Sequence, residues 1–105
     1  MEINERAKII ADIQHDLAEG SLTIGQAVKR LRTEVTGLQQ LKFAEMCKLS
    51  LRALRQIEHD NANPTINTLN SIFRPFGMQV GIVPKVKLSR WGGGARELFN
   101  KSYRG

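Results

Sequence analysis

Cysteine is almost absent from this 105-residue chain, which has a single one, Cys47. One cysteine excludes an internal disulfide and any metal site built from several thiolates. The two histidines, His15 and His59, are far apart in the sequence and have no obvious companions as metal ligands. The chain also has no nucleophile paired with a base and no phosphate-binding glycine loop. We therefore expect neither an enzyme nor a protein that needs a metal or cofactor.

Long hydrophobic runs are missing as well, since no apolar stretch approaches the roughly 18 residues of a membrane span. The N-terminus begins without a signal-peptide pattern. These absences predict a cytoplasmic protein with no membrane partner. The length, with 41% hydrophobic and 25% charged residues, is typical of one compact soluble domain with appendages.

Positive charge is unevenly distributed along the chain, whose net charge is +6. Residues 85–105 carry six lysines and arginines against one acid, whereas the preceding 84 residues carry ten against nine. A basic tail can bind phosphates without sequence preference, or it can simply improve solubility. Charge alone therefore does not identify a nucleic-acid partner.

Apolar residues at helical spacing predict two N-terminal helices. Over residues 3–19 the apolar and charged side chains occupy opposite halves of a helical wheel, and Gly20 supplies a C-terminal stop. Thr23 and Gln26 have the spacing of a capping box, so a second helix is expected over about 24–35. The predicted inner faces are Ala7, Ile10, Ala11, Ile13, Leu17 and Ala18, interrupted by Gln14, and then Ala27, Val28, Leu31 and Val35.

Residues 38–58 have the pattern of two short helices separated near Lys48 and Leu49. Leu41, Ala44 and Cys47 recur on one face of the first, which predicts that Cys47 is a small buried hydrophobe rather than a reactive thiol. Ser50 is a suitable N-cap for the second helix.

A turn cluster at 61–64 precedes a further helix, for which Thr65 is the expected N-cap. Its apolar face is Ile66, Leu69, Ile72 and Phe73, and Pro75 should end or kink it near Arg74. Alternating apolar residues then predict a strand over 78–84. An isolated strand needs a partner, which suggests pairing with a second copy in a two-fold dimer.

The helix that follows Ser50 has a polar face suited to DNA. Leu51, Arg52, Arg55, Gln56 and His59 share one arc, and Ala53, Leu54 and Ile57 lie opposite. Arginine can donate two hydrogen bonds to guanine, glutamine can pair with adenine, and leucine can contact a thymine methyl group. A solvated helix face with incidental arginines has the same periodicity, so the pattern alone does not decide between them.

Spacing across residues 37–58 resembles the helix-turn-helix of the lambda-repressor-like (XRE) family. The residues that carry the resemblance are Gly37, Leu38, Gln39, Gln40, Leu41, Lys42, Phe43, Ala44, then Lys48, Leu49, Ser50, then Leu54, Arg55, Gln56, Ile57 and Glu58. Asn63, Pro64, Thr65, Ile66 and Leu69 resemble the segment that follows in that family. The match covers about residues 24–78. It implies a mostly α fold, namely a five-helix domain of this family with an extra N-terminal helix, and sequence-specific DNA binding.

The family resemblance also implies site residues. A glutamine at the position of Gln40 binds a backbone phosphate there, and residues after the Ser50 cap read bases. The expected base contacts are Leu51, Arg52, Arg55 and Gln56, although Gln56 could contact only phosphate or solvent. The expected phosphate contacts are Gln39, Gln40, Lys48, Ser50, His59, Asn61 and Asn63, whereas Glu58 matches an acid that is usually structural.

Three residues depart from the family pattern. Lys48 replaces the usual glycine of the turn, which costs about 1 kcal/mol if the backbone is left-handed there but adds a cation near DNA. Gln39 replaces a frequent Ser or Thr, so the cap of that helix should be weak. Pro75 interrupts a helix that is commonly continuous.

Residues 76–83 resemble the C-terminal strand of HipB-type antitoxins, which pairs across a dimer. Such antitoxins bind operator DNA as dimers and also bind a HipA-like kinase toxin. The resemblance implies a homodimer joined through Met78, Val80 and Ile82, a palindromic double-stranded operator and a kinase toxin partner. A stand-alone phage or chromosomal repressor, and an interaction module that has lost DNA binding, are the alternatives.

The expected organisation has four parts: an N-terminal amphipathic helix over 1–21, the helix-turn-helix domain over 22–78, a dimerisation strand over 79–86 and a flexible basic tail over 87–105. The tail contains Trp91, Phe99 and Tyr103, and aromatic side chains are strong anchors in interfaces. The tail is expected to bind a partner, to bind phosphates non-specifically, or to remain solvated.

Overall fold

The computed structural model describes residues 3–82, which form five α-helices and no strand. The helices are α1 (Ile3–Glu19), α2 (Ile24–Arg30), α3 (Gln40–Met46), α4 (Leu51–Glu58) and α5 (Ile66–Phe73). A π-helical segment, Leu31–Thr36, continues α2, and a 3-10 turn, Arg74–Phe76, continues α5. The tail residues Trp91, Phe99 and Tyr103 lie outside the described residues.

Helix boundaries agree with the predicted caps. The Thr23 hydroxyl accepts from the Gln26 amide at 3.1 Å, and the Gln26 side chain accepts from the Thr23 amide at 2.9 Å, which completes the capping box. Gly20 ends α1 in the left-handed conformation, with φ of 78°. Ser50 and Thr65 cap α4 and α5 by accepting from the amides of Ala53 and Thr68.

The predicted fold was a five-helix domain with an additional N-terminal helix. The described residues form five α-helices in all, and the N-terminal helix α1 is one of them. Pro75 ends α5, because it has no amide hydrogen and its ring clashes with the preceding turn of an α-helix. The chain after Phe73 therefore makes only the 3-10 turn, which Gly77 closes with φ of 75°. The predicted end of the helix near Arg74 is confirmed.

The hydrophobic core lies between α1 and the packed helices α2 to α5. Cys47 belongs to it, as predicted, and burial raises the pKa of its thiol to about 11, so it is an unreactive core residue. The other buried apolar residues are Ile13, Ala27, Val28, Leu31, Val35, Phe43, Ala44, Leu54, Ile57, Leu69, Ile72 and Phe73.

Two residues predicted to be buried are exposed. Leu41 on α3 is 53% exposed, and Ile66 in the first turn of α5 is 63% exposed. In α3 the large buried side chain is Phe43, whose ring stacks on that of Phe76 with centroids 6.3 Å apart. Phe43 buries more apolar surface than leucine could, so it determines which face of this seven-residue helix turns inward.

The apolar face predicted for α1 is only partly covered. Ile13 is fully buried, and Ile10 and Leu17 are half-buried against the core. Ala7, Ala11 and Ala18, which were also expected to face inward, are exposed. The domain therefore covers one edge of the apolar surface of α1 and leaves the rest uncovered.

The strand predicted over 78–84 is not present in residues 78–82, and the remainder lies outside the described residues. The Val80 amide instead donates to the Asn70 side chain at 2.8 Å. A strand forms only when another strand accepts and donates its backbone hydrogen bonds, and residues 3–82 offer none at this position. Pairing of Met78, Val80 and Ile82 with a second copy stays a prediction. Within residues 3–82 no helix is long and apolar enough to cross a membrane.

Candidate nucleic-acid interface

Helices α3 and α4, joined by residues 47–50, form a helix-turn-helix. Backbone bonds close the end of α3: the Lys48 amide donates to the Glu45 carbonyl at 3.1 Å, and the Leu49 amide to the Ala44 carbonyl at 2.8 Å. Lys48 has φ of 59°, so the backbone is left-handed at this turn, which is the condition under which replacing the usual glycine is costly. The Ser50 cap then starts α4 in a new direction.

The sequence places the two faces of α4 correctly. Leu54 and Ile57 are buried in the core, while Arg52, Arg55 and Gln56 are exposed. Leu51, at the edge of this face, is half-buried. The structure thus brings together the four residues expected to contact bases on one side of a helix whose opposite side anchors it to the domain.

A chain of hydrogen bonds connects the interior of the domain to this exposed face. Arg32 binds Glu58 through two nitrogens, Nε to Oε2 at 2.7 Å and Nη2 to Oε1 at 3.0 Å. The Gln40 side-chain nitrogen donates to Glu58 Oε1 at 3.2 Å. The Arg55 Nε in turn donates to the Gln40 side-chain oxygen at 3.2 Å. We call these four residues the relay.

Glu58 is the buried charge at the centre of the relay, and its side chain is only 3% exposed. Burial alone would raise its pKa, but hydrogen bonds from Arg32 and Gln40 and the positive charge of Arg32 bring the pKa below its ordinary value. The carboxylate is therefore charged at neutral pH. The structural role that the family resemblance implies for Glu58 agrees with this environment.

Gln40, which was expected to bind a phosphate, is not a freely exposed side chain. Its side chain is half-buried and its oxygen and nitrogen each have a protein partner in the relay. The second hydrogen of its amide group and the backbone amides at the start of α3 are the groups it could offer to a phosphate. Gln39, as predicted, gives no side-chain cap to that end of α3 within the described residues.

The other expected phosphate ligands surround the exposed face of α4. Lys48 and Ser50 lie in the turn before the helix, and His59, Asn61 and Asn63 follow its C-terminal end. All five are exposed, and the Ser50 hydroxyl is also the N-cap. Their assignment to phosphate stays a prediction.

Asp60 holds the C-terminal end of α4 and was not singled out by the sequence. Its carboxylate accepts from the Gly25 amide at 2.9 Å and from the Thr23 hydroxyl at 2.7 Å. An added Cβ at Gly25 would lie 2.5 Å from the Ile57 carbonyl oxygen, so the two helix ends can approach only because this residue is glycine. A glycine inside an otherwise regular helix start is the one sequence signal for this contact.

Lys48→Gly is expected to affect stability and DNA binding in opposite directions. Glycine adopts the left-handed backbone without strain, so the free energy of unfolding should rise by about 1 kcal/mol in urea denaturation. The loss of one cation should lower the number of counterions released on DNA binding by about one, and the affinity should therefore depend less steeply on salt concentration. Lys48→Asn is the matched control, because asparagine also tolerates this backbone and removes the same charge. A fall in stability for Lys48→Gly would contradict the strain at this turn.

Comparison with known proteins gives one informative similarity. The chain is 37% identical over 62 residues to the immunity repressor protein of Bacillus phage phi105. The aligned part covers 59% of this chain and 42% of that protein, so the chain spans less than half of its relative's length. No protein-family model matches the chain. No solved structure matches it either.

Proposed function

We propose that this protein is a sequence-specific DNA-binding repressor in which α4 enters the major groove. The groove of B-form DNA is wide enough for an α-helix, and α4 presents two exposed arginines and a glutamine to it. The observation that carries this proposal is the hydrogen bond that Arg55 Nε donates to the Gln40 side-chain oxygen, which holds one of these arginines from inside the domain.

The relay suits Arg55 to the recognition of guanine. Gln40 occupies its Nε, and the two terminal nitrogens are left to donate in parallel to guanine O6 and N7. A side chain already held in place loses less conformational entropy when it binds. Arg52, Gln56 and Leu51 complete the base-reading face, while Gln40, the backbone at the start of α3, and Lys48 contact the phosphates on either side.

The repressor is proposed to act as a homodimer on a palindromic operator. One α4 reads only a few base pairs, and two copies related by two-fold symmetry double the site and therefore the specificity. The two half-sites would then lie about one helical turn apart on the same side of the DNA.

Among biological roles, the stand-alone repressor of phage type has the better support. The similarity to the phage phi105 protein, which is named an immunity repressor, favours it. The HipB interpretation rests on a strand at 76–83 that residues 78–82 do not form in the single chain. We therefore do not include a HipA-like kinase toxin in the proposal.

Selection from a library of random-sequence DNA duplexes tests the proposed function. The protein is expected to enrich one motif with two inverted half-sites, and to bind that duplex about 10³-fold or more tightly than a scrambled one at physiological salt. Enrichment of no motif, with weak and strongly salt-dependent binding to every duplex, would show a non-specific binder. The absence of any DNA binding would favour the interaction-module alternative.

A further inference from the structure

Gln40 is the middle residue of the relay, and the two ends of its amide group have opposite hydrogen-bonding roles. The nitrogen donates to Glu58 Oε1 at 3.2 Å, and the oxygen accepts from Arg55 Nε at 3.2 Å. The side chain is half-buried at the start of α3 and lies between these two partners. The direction in which this amide group points therefore determines whether Arg55 meets an acceptor or a donor.

Both neighbours require the same orientation of the Gln40 amide group. An ionised carboxylate can only accept hydrogen bonds, and a guanidinium group can only donate them. If the amide group were rotated by half a turn, its oxygen would face the Glu58 carboxylate and its nitrogen would face Arg55 Nε. Two acceptors would then meet at one end and two donors at the other. The negative charge of Glu58 therefore makes the reversed orientation costly, because these groups are shielded from water.

Glu58 is itself fixed from the opposite side by Arg32. This arginine donates to both carboxylate oxygens, and its Nη1 donates to the Leu38 carbonyl at 3.1 Å. The side chains of Arg32 and Glu58 are only 12% and 3% exposed. The carboxylate is therefore held in one position, and Gln40 is the residue that connects it to the exposed face of α4.

The spacing of Arg55 and Glu58 along α4 shows why this connecting residue matters. Residues three positions apart are neighbours on a helix, so an arginine and a glutamate at this spacing can pair directly. Within residues 3–82, however, the arginine that forms an ion pair with Glu58 is Arg32. Arg55 instead donates through Nε to Gln40, and its two terminal nitrogens are left to bind outside the domain.

We infer that Glu58 is a positioning residue for base recognition, because it orients the Gln40 amide group that holds Arg55. This inference rests on the proposed function, in which Arg55 contacts a base. It adds that a buried carboxylate, which does not reach the DNA, contributes to the preference for guanine. An arginine released from Gln40 would have to be ordered when it binds guanine, and it could also turn toward a phosphate. The relay should therefore affect the choice of base more than the overall affinity.

Binding to duplexes that differ only at the guanine assigned to Arg55 measures this effect. The double change Arg32→Met with Glu58→Leu removes the carboxylate and leaves no unpaired buried charge. It should lower the preference for guanine over the other bases by roughly 2- to 10-fold, the cost of ordering one long side chain. Gln40→Met interrupts the relay while the pair of Arg32 and Glu58 remains, and it should lower the preference by a similar factor. Ile72→Val is the control for destabilisation, since this buried residue of α5 lies outside the relay, and it should retain the preference.

The same changes in an Arg55→Ala background distinguish a positioning role from a purely structural one. In that background they should have no further effect on the preference at this position, because the residue through which they act is absent. An equal loss of affinity for all duplexes, with the preference for guanine retained, would show that Glu58 is only structural and would overturn the inference. A loss of preference in Ile72→Val as large as that in Gln40→Met would also overturn it.

Nuclear magnetic resonance of the free protein supplies a measurement that needs no DNA. The Nε–Hε signal of Arg55, assigned by its absence in Arg55→Ala, should show slow exchange with water and restricted motion in the wild type. In Gln40→Met and in the double variant it should behave like the signal of the exposed Arg52. A mobile Arg55 in the wild type would contradict the positioning role. An ordered Arg55 that both variants release, in a protein without any sequence preference, would place the failure in the proposed function and not in the relay.

Discussion

Replacement of both Arg52 and Arg55 by alanine is expected to lower the affinity for the selected duplex by roughly 10²-fold or more. Each good arginine contact to a base contributes about 1–3 kcal/mol, and the two residues lie on the same exposed face of α4. Both side chains are exposed and neither belongs to the core. The fold should therefore survive the change, and the melting temperature should remain close to that of wild type.

Arg74→Ala is the control for the loss of one positive charge, and it is compared with Arg52→Ala and Arg55→Ala taken singly. Arg74 is exposed and lies outside α3 and α4, so its removal alters the net charge without touching the proposed reading face. Fluorescence anisotropy at physiological salt should show only a few-fold change for this variant. Equal losses for Arg74→Ala and for either arginine on α4 would mean that binding is general electrostatic attraction rather than reading by α4.

Arg32→Met is expected to lower the free energy of unfolding by about 3–5 kcal/mol. The substitution leaves the buried Glu58 carboxylate with Gln40 as its one side-chain hydrogen-bond partner among the described residues. An uncompensated buried charge costs far more than the loss of a surface ion pair. Urea denaturation followed by circular dichroism measures the difference.

Two further variants distinguish the effect of the uncompensated buried charge on Glu58 from the simple loss of an arginine. Arg30→Met breaks a solvent-accessible pair with Glu34 and a longer one with Asp16, and should cost no more than about 1 kcal/mol. The double change Arg32→Met with Glu58→Leu removes both charges and should recover much of the loss. A value for Arg32→Met within 1 kcal/mol of wild type would show that the pair with Glu58 has little energetic importance.

Because the pKa of Glu58 is lowered, the stability that the Arg32–Glu58 ion pair contributes depends on pH. A carboxyl group whose pKa is lower in the folded than in the unfolded state contributes stability above its ordinary pKa. That contribution is lost as the pH falls through the folded-state value. The wild-type protein should therefore lose stability in acid more steeply than Glu58→Gln, a variant in which this titration is absent.

Local features of the fold could be predicted from the sequence because their causes are local. A capping box needs only Thr23 and Gln26, three positions apart, and the reading face of α4 follows from the order of residues within two turns. The left-handed backbone at Lys48 likewise falls at the one position of the motif where the sequence analysis marked a glycine as replaced. In each case the interacting residues are close neighbours in the sequence, so the geometry of one or two helical turns determines the distance between them.

Contacts between distant residues were missed for the corresponding reason. Arg32 and Glu58 are 26 positions apart, and Gly25 and Asp60 are 35 apart, so helical periodicity gives no indication that either pair meets. The prediction that Leu41 is buried was also wrong. A helix of seven residues has a poorly defined apolar face in the sequence, and its orientation depends on the distant contact of Phe43 with the ring of Phe76. The strand predicted over 78–84 would need a partner strand, and residues 78–82 form none in the single chain.

The central claim, that α4 reads bases, is tested most directly by selecting duplexes with Arg55→Ala and comparing them with those that wild type selects. Reading by Arg55 predicts that the variant loses its preference at one position of each half-site, a guanine in the wild-type motif, and retains the preferences at the other positions. A variant that selects the wild-type motif unchanged, with affinity lowered equally for all duplexes, would show that Arg55 contacts only the backbone and would contradict the account.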